Sequence, residues 1–168
     1  MEKQRKIQNP KKITSVPFLN NPRKITDRNL GELKNSLLKL GDLSGIVINI
    51  ETGERIGGNQ RSKIFNIHVC ELSIVETFDK PDDQGTLRYG YVLWEGHKYS
   101  YREVKWDEET AKIANLAANK MGGVFDEDAM RGLSRELLKK SGFNEVEIEK
   151  IKKADAILIL KYGISQIK

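Results

Sequence analysis

The clearest periodicity along the chain lies in TDRNLGELKNSLLKLG, residues 26–41. Its leucines recur at intervals of three and four residues, which predicts a helix with one apolar face. They are Leu30, Leu33, Leu37 and Leu40. Thr26 or Asp27 is suited to cap the start of this helix, and Gly41 is suited to end it.

Short strands and a second helix are predicted around this first helix. GIVINI, residues 45–50, is a continuous apolar run of strand length. A turn at Thr52 and Gly53 predicts a returning strand in ERIGG, and NQRSKIF, residues 59–65, predicts a helix. Before the first helix, ITSV predicts a short strand that runs into a turn containing Pro22.

The middle of the chain alternates and is rich in β-branched and aromatic residues. HVCELSIVETF predicts a strand on which His68 and Cys70 share a face; two such ligands do not make a structural metal site, so core packing is favoured. TLRYGYVL and YSYREVKW, on either side of WEGHK, predict a β-hairpin with aromatic residues on one face. These aromatic residues could stack on bases, although packing on cross-strand neighbours is the commoner role. They are Tyr89, Tyr91, Trp94, Tyr99 and Tyr101.

The last third of the chain has helical periodicity. DEETAKIANLAANKMGG, residues 107–123, predicts an Ala-rich helix, and DEDAMRGLSRELLKKSG, residues 126–142, predicts one helix capped by Asp126 and ended by Gly142. The tail NEVEIEKIKKADAILILKYGI begins as a helix, and its AILILKY segment is equally compatible with an edge strand.

The order of these elements predicts the organisation of the chain. A core of α+β class is expected over residues 13–106, with a helical C-terminal extension over residues 107–168. Residues 1–12 are expected to form a basic, flexible arm.

Composition narrows the class of protein. The 168 residues are 38% hydrophobic and 32% charged, and no apolar run approaches the length needed to span a bilayer. The first residues, MEKQRKIQNPKK, lack the apolar segment of a secretion signal, so a cytoplasmic protein is expected. One cysteine and two histidines allow neither an internal disulfide nor a Cys/His zinc site, and no metal site is predicted.

The charge is concentrated near the start of the chain. The net charge is +5, and the first 24 residues carry a single acidic residue, Glu2. A basic arm of this kind could lie on the phosphates of nucleic acid, and a solvated tail is an equal alternative. The candidate DNA-binding residues of the arm are Lys3, Arg5, Lys6, Lys11 and Lys12.

A pair of glycines stands in ETGERIGGNQRSKIF, residues 51–65. Gly53 and Gly58 have the spacing of the phosphate-binding P-loop. Asn59 and Gln60, however, stand where that loop needs its lysine and its magnesium-binding hydroxyl, so a P-loop is excluded.

The segment GGNQR, residues 57–61, called the glycine box, predicts a different kind of anion site. Its glycines end a strand and its arginine opens a helix, so backbone N–H groups, the positive helix end and a guanidinium should meet at one point. That point suits a phosphate. The alternative is a tight turn in which Arg61 pairs with a surface acid.

Other polar groups suggest weaker sites. The clusters Asp107-Glu108-Glu109 and Asp126-Glu127-Asp128 could be ligands of a nuclease metal, but both stand where helix N-termini favour acids. Asn115 and Asn119, one helical turn apart, could touch a ligand or DNA, and surface exposure is the expected role. The chain has no Asp-Pro-Pro-Tyr-like segment, which argues against a self-contained DNA methyltransferase.

Three segments in order resemble the N-terminal domain of the ParB/sulfiredoxin superfamily. They are Asn-Pro-Arg at residues 21–23, the first helix with the apolar strand after it, and the glycine box. The resemblance covers about residues 13–75. It extends more weakly through residues 107–128, which are similar to the segment that follows this domain in phage ParB-like proteins and in modules attached to some DNA methyltransferases.

The resemblance implies a mixed sheet with flanking helices and a site for the phosphates of ATP or CTP, with Mg²⁺ as a candidate companion. Position by position, it implies that Arg61 grips phosphate, that Ser36 donates to the same phosphates, and that Arg23 matches the arginine of Asn-Pro-Arg. The implied nucleotide-binding residues are Arg23, Ser36, Gly57, Gly58, Asn59, Gln60 and Arg61.

Two departures from the family pattern bear on catalysis. Asn59 replaces both the catalytic cysteine of sulfiredoxin and the glutamate that partitioning ParB proteins use in hydrolysis, and Gln60 replaces a histidine or arginine. Cys70 does not restore the missing thiol. No catalytic residue is therefore predicted.

The leading hypothesis is a ParB-like nucleotide-binding protein of a phage or mobile element that contacts DNA or a DNA-modifying enzyme. A homodimer is left open. The alternatives are a phosphotransferase, NTPase or nuclease on the same fold, and an interaction module without a ligand.

Overall fold

A computed structural model describes residues 15–17, 25–120 and 125–153. Within these ranges the chain has a six-stranded mixed sheet and six helices, which confirms the predicted α+β class. The basic arm, Arg23 and the Pro22 turn lie outside the described residues, as does the AILILKY segment. None of the helices described is both long and apolar enough to cross a membrane.

The sheet mixes parallel and antiparallel pairs in the order β1-β3-β2-β6-β5-β4. Strands β1 and β3 are parallel, as are β2 and β6, and the other neighbours are antiparallel. Glu95 and Gly96 both have positive φ, as a two-residue β5–β6 hairpin turn requires. The strands are β1 (Val16–Pro17), β2 (Ile46–Asn49), β3 (Glu54–Gly57), β4 (Glu71–Thr77), β5 (Thr86–Trp94) and β6 (His97–Val104).

The helices lie between and after the strands. Two of them, α1 and α2, belong to the half of the chain that forms β1 to β4, and the others follow the hairpin. They are α1 (Asp27–Leu40), α2 (Asn59–Phe65), α3 (Glu108–Lys120), α4 (Glu127–Arg131), α5 (Arg135–Lys140) and α6, residues 145–153, which reaches the last described residue.

The described residues divide into two compact units. One comprises residues 15–17 and 25–115, and the other comprises residues 116–120 and 125–153. The division falls within α3. The first unit contains the sheet, α1, α2 and the first half of α3.

Helix α1 confirms most of its predicted pattern. The hydroxyl of Thr26 accepts a hydrogen bond from the Asn29 N–H at 3.3 Å, and Gly41 ends the helix with a φ of 79°. Leu37 is fully buried, whereas Leu40 is 70% exposed, so its prediction as a core residue was wrong. Leu40 is the last helical residue, and the chain turns away at Gly41 before this side chain can reach the core.

Both faces of the central strands are covered. Ile46 and Ile48 of β2 pack in the main core with side chains of α1 and α2, while Val47 packs in a second cluster with Ile56 and with residues of α3. A strand buried on both faces favours apolar residues at successive positions, which explains Ile46, Val47 and Ile48. Asn49, the last residue of β2, is also buried, and its Nδ2 donates to the Trp106 carbonyl at 2.9 Å. The main core consists of Leu37, Ile46, Ile48, Phe65, Ile67, Leu72, Ile74, Val92, Tyr99 and Tyr101.

The hairpin aromatics lie on two faces, so their predicted placement on one face was wrong. Tyr99 stands opposite Val92 and is buried in the main core, whereas Tyr91 stands opposite Ser100 on the other face. The cause is register: residues of β5 and β6 that oppose each other share a face, and the tyrosines of the two strands are out of step. Burial raises the pKa of Tyr99, and the Ser73 hydroxyl and the Lys98 ammonium lower the pKa of Tyr91.

His68 and Cys70 lie in a turn, and their predicted place on a strand was wrong. The chain leaves α2 through Asn66, which has a φ of 50°, and β4 begins only at Glu71. The buried side chain of Ile67 anchors this turn in the core. The Cys70 thiol donates to the Phe65 carbonyl at 2.6 Å, and burial raises its pKa, which disfavours the thiolate form.

The second unit contains two short helices where one was predicted over residues 126–142. Helix α4 ends before Gly132, and the hydroxyl of Ser134 accepts from the Leu137 N–H at 3.1 Å to start α5. Glycine weakens a helix interior and serine competes for backbone N–H groups, so together they break the helix. The unit's core consists of Leu116, Met130, Leu138, Phe143 and Ile148.

Candidate phosphate-binding site

The backbone of the glycine box turns sharply at Gly58. Gly58 has a φ of 79° and a ψ of 17°, in the left-handed region, between the end of β3 and the start of α2. A Cβ at this position would lie 3.0 Å from the Cα and Cγ1 atoms of Ile46 and 3.1 Å from the Gly45 carbonyl oxygen. Gly58 is therefore required both by its conformation and by the close approach of β2.

Gly57 is under no comparable constraint. The nearest atom to a Cβ placed there is Val47 Cγ2, at an ordinary contact distance of 3.7 Å. Of the two adjacent glycines, only the second is demanded by the packing.

The first turn of α2 leaves its N–H groups uncapped by a side chain. Its N-cap is Gly58, which has no side chain to offer, and the Ser62 N–H donates to the Gly58 carbonyl at 2.8 Å. The N–H groups of Asn59 and Gln60 come before this bond, so the helix itself has no carbonyl for them. Because α2 is only seven residues long, local N–H groups matter more here than a long-range helix dipole.

Asn59 is held against the strand that precedes it. Its side chain is 9% exposed, and Nδ2 donates to the Arg55 carbonyl at 3.1 Å. Its Oδ1 is buried and has no hydrogen-bond partner among the described residues, and the same holds for Oε1 of Gln60. Two adjacent side chains of the glycine box thus carry unsatisfied acceptors.

Arg61 lies in the first turn of α2, as the sequence predicts. Its side chain is half-buried, and its Nε is shielded from solvent. Lys63, two residues further along the same helix, is exposed. The guanidinium is therefore attached beside the uncapped turn and partly within the fold.

Ser36 lies on α1, which contacts α2. Its hydroxyl donates to the Glu32 carbonyl of its own helix at 3.0 Å. The structure thus places residues 57–61 together and brings the helix of Ser36 alongside. Arg23, the remaining implied site residue, lies outside the described residues.

Arg55 is a site residue that the sequence patterns did not indicate. It is only 5% exposed, and its Nη1 donates to the carbonyl and hydroxyl oxygens of Ser15 at 3.0 Å each. Its Nε has no hydrogen-bond partner among the described residues, and burial lowers its pKa. An arginine on a four-residue strand normally points to solvent, so only the pairing of Arg55 with Ile48 of β2 shows that it faces the core.

Asn115 is the second residue missed, and its expected exposure was wrong. It is 0% exposed, and its Nδ2 donates to the Ile56 carbonyl at 2.8 Å. This bond joins α3 to β3 immediately before the glycine box. The signal in the sequence was an asparagine within an Ala-rich helix, which periodicity alone could not assign to a buried face.

The acidic clusters act as helix caps. Asp107 Oδ1 accepts from the Thr110 N–H at 2.7 Å, which lowers the pKa of Asp107, and Asp126 Oδ1 accepts from the N–H groups of Asp128 and Ala129 at 3.1 Å each. In the part of the chain that the structure describes, no three acidic, histidine or cysteine residues are grouped so that they could hold a metal ion.

Comparison with known proteins identifies no family for this chain. A scan against protein-family models gives no match, and a search of curated proteins gives none either.

Proposed function

We propose that the protein is a ParB-like nucleoside-triphosphate-binding protein that acts in a DNA transaction. The observation that carries the proposal is the glycine box. Gly58 adopts a left-handed conformation in which a side chain would be strained and would crowd Ile46, and it leads into an uncapped helical turn that bears Arg61. Open N–H groups and a guanidinium are the groups that bind phosphate oxygens.

The order and spacing of the resembling segments support a triphosphate over a single phosphate. The helix that carries Ser36 contacts α2, so its hydroxyl could exchange its bond to Glu32 for one to a ligand. CTP and ATP are the candidates, with Mg²⁺ as their usual companion in water.

The DNA partner is supported by charge and by the resemblance to phage and methyltransferase-associated proteins. The net charge of +5 favours a polyanion. Either DNA itself or a DNA-modifying enzyme is the proposed partner. A phosphotransferase, NTPase or nuclease is less supported, because the amide of Asn59 cannot act as a nucleophile or general base.

Calorimetry tests nucleotide binding. Wild-type protein and Arg61→Ala are titrated with ATP, CTP and GTP, each with Mg²⁺. Loss of a charge-assisted contact to phosphate should weaken binding by about 2 kcal/mol or more. The matched control, Lys63→Ala, removes an exposed cation from the same helix and should bind like wild type. Equal affinity of Arg61→Ala and wild type would refute the proposal, as would absence of binding by any nucleotide.

Gel shifts at several salt concentrations test the DNA partner. Binding through phosphate contacts must weaken steeply as salt rises, and removal of the arm's lysines and arginines should flatten that dependence. DNA binding that is indifferent to salt would contradict this part of the proposal. Release of labelled phosphate from the triphosphate would favour the NTPase alternative.

A further inference from the structure

We propose that the ligand of the glycine box brings a hydrogen-bond donor to Asn59 Oδ1, in addition to its negative charge. The donor is a hydroxyl or amine of the ligand, or a water bound to its metal ion. The site would therefore distinguish a nucleotide or a metal-chelated phosphate from a bare polyphosphate. This inference rests on the proposed function, because it concerns the same site.

The orientation of the Asn59 amide is determined by its neighbour. Its Nδ2 donates to the Arg55 carbonyl at 3.1 Å. A flip of the amide would bring Oδ1 against that carbonyl oxygen, and two acceptors would then face each other. Oδ1 is therefore held in the remaining position, where it can only accept.

No described residue supplies the donor that this oxygen needs. Oδ1 is buried and accepts no hydrogen bond from the described part of the chain, and the same is true of Oε1 of the adjacent Gln60. Buried acceptors are almost always satisfied in folded proteins, so an exception calls for an explanation such as a ligand. A bare phosphate chain above its last pKa carries no hydrogen and cannot satisfy an acceptor, so the ligands must be compared at such a pH.

The glycine box contains a cation, the Arg61 guanidinium, and a hydrogen-bond acceptor, the amide oxygen of Asn59. Together they suit a ligand that has both a negative charge and a hydrogen-bond donor. Arg61 favours an anion, whereas Asn59 Oδ1 repels anionic oxygens and attracts a donor. A phosphate that carries a hydroxyl, an amine or a hydrated metal near it satisfies both residues. Gln60 Oε1, which no described residue satisfies, offers such a ligand a second acceptor.

The test compares ligands with and without donors. Tripolyphosphate and CTP are each titrated by calorimetry in EDTA and in Mg²⁺, with ATP in place of CTP if it binds more tightly. The variants are Asn59→Ala, which removes the acceptor, and Asn59→Ser, whose hydroxyl can donate to the Arg55 carbonyl and still accept. The four ligand forms are tripolyphosphate and CTP, each in EDTA and in Mg²⁺, and damage to the fold would weaken the binding of all four. The quantity compared between variants is therefore the affinity of each form divided by that of tripolyphosphate in EDTA.

In Asn59→Ala that relative affinity should fall about tenfold for at least one donor-bearing form, while in Asn59→Ser, which keeps an acceptor, it should fall less. A fall for CTP in EDTA identifies a hydroxyl or amine as the donor, and a fall only in Mg²⁺ identifies metal-bound water. Asn59→Cys, whose thiol can donate weakly to Arg55 and is a poor acceptor, replaces the alanine variant if thermal unfolding shows that alanine disrupts the fold.

An unchanged relative affinity in Asn59→Ala would overturn this inference and leave the proposed function standing. If neither CTP nor tripolyphosphate binds the wild-type protein, the proposed function itself fails, and the inference fails with it.

Discussion

The roles of some residues in the candidate site can be predicted from the sequence, and those of others cannot. Gly58 and Arg61 could be predicted, because a left-handed turn favours glycine and a guanidinium after it suggests an anion. The orientation of Asn59 and the burial of Arg55 could not, since both follow from contacts with the Arg55 carbonyl and with Ser15 that only the folded chain creates. Residue type and spacing thus predicted the turn at Gly58 and the position of Arg61 at the start of α2. They did not predict the buried, unsatisfied amide oxygen of Asn59.

Replacement of Gly58 by alanine should destabilise the fold more than the same change at Gly53. Both glycines have positive φ, 79° and 71°, but an added Cβ meets β2 only at Gly58 and meets nothing within 4 Å at Gly53. We expect a loss of about 3 kcal/mol in the free energy of unfolding for Gly58→Ala and about 1 kcal/mol for Gly53→Ala. Urea unfolding followed by fluorescence of the two tryptophans, both in the first unit, measures the difference. Equal losses would show that β2 does not approach Gly58 closely.

At the scale of elements, periodicity was reliable in the interior of helices and strands and unreliable at their ends. Helix α1 and its cap at Thr26 were predicted, whereas Leu40, at its last position, is exposed. Helices α4 and α5 were predicted as one, because the competition of Ser134 for backbone N–H groups is local and does not alter the apolar pattern. The aromatic residues of the hairpin were wrongly predicted to share one face. Their faces depend on the register between β5 and β6, which the sequence of either strand alone does not specify.

The attachment of α3 to β3 should depend on one amide. In Asn115→Ala the Ile56 carbonyl loses the donor that lies 2.8 Å away in a fully buried position. We expect the free energy of unfolding of the first unit to fall by about 2 kcal/mol. Lys112→Ala in the same helix is the control, because it removes only an exposed ion pair with Glu108 and should cost about 0.5 kcal/mol or less. If the two variants are equally stable, the buried bond does not hold the helix.

At the scale of the whole molecule, the class could be predicted from the order of elements, and the mixed sheet follows the pattern that the resemblance implies. The sheet is covered on both faces in its central strands, and the glycine box lies where β3 passes into α2. The second unit has its own core of apolar side chains from α3 to α6. The glycine box and Ser36 belong to the first unit.

The central claim is that phosphate binds to the main chain of the glycine box. Its most direct test is a titration of ¹⁵N-labelled protein with Mg²⁺–CTP and Mg²⁺–ATP, followed by amide resonances. We predict that the largest shifts fall on the N–H groups of Gly58, Asn59, Gln60 and Arg61, and that Arg61→Ala abolishes them at the same nucleotide concentration. Shifts confined to the outer face of the hairpin or to the second unit, with the glycine box unchanged, would contradict the account.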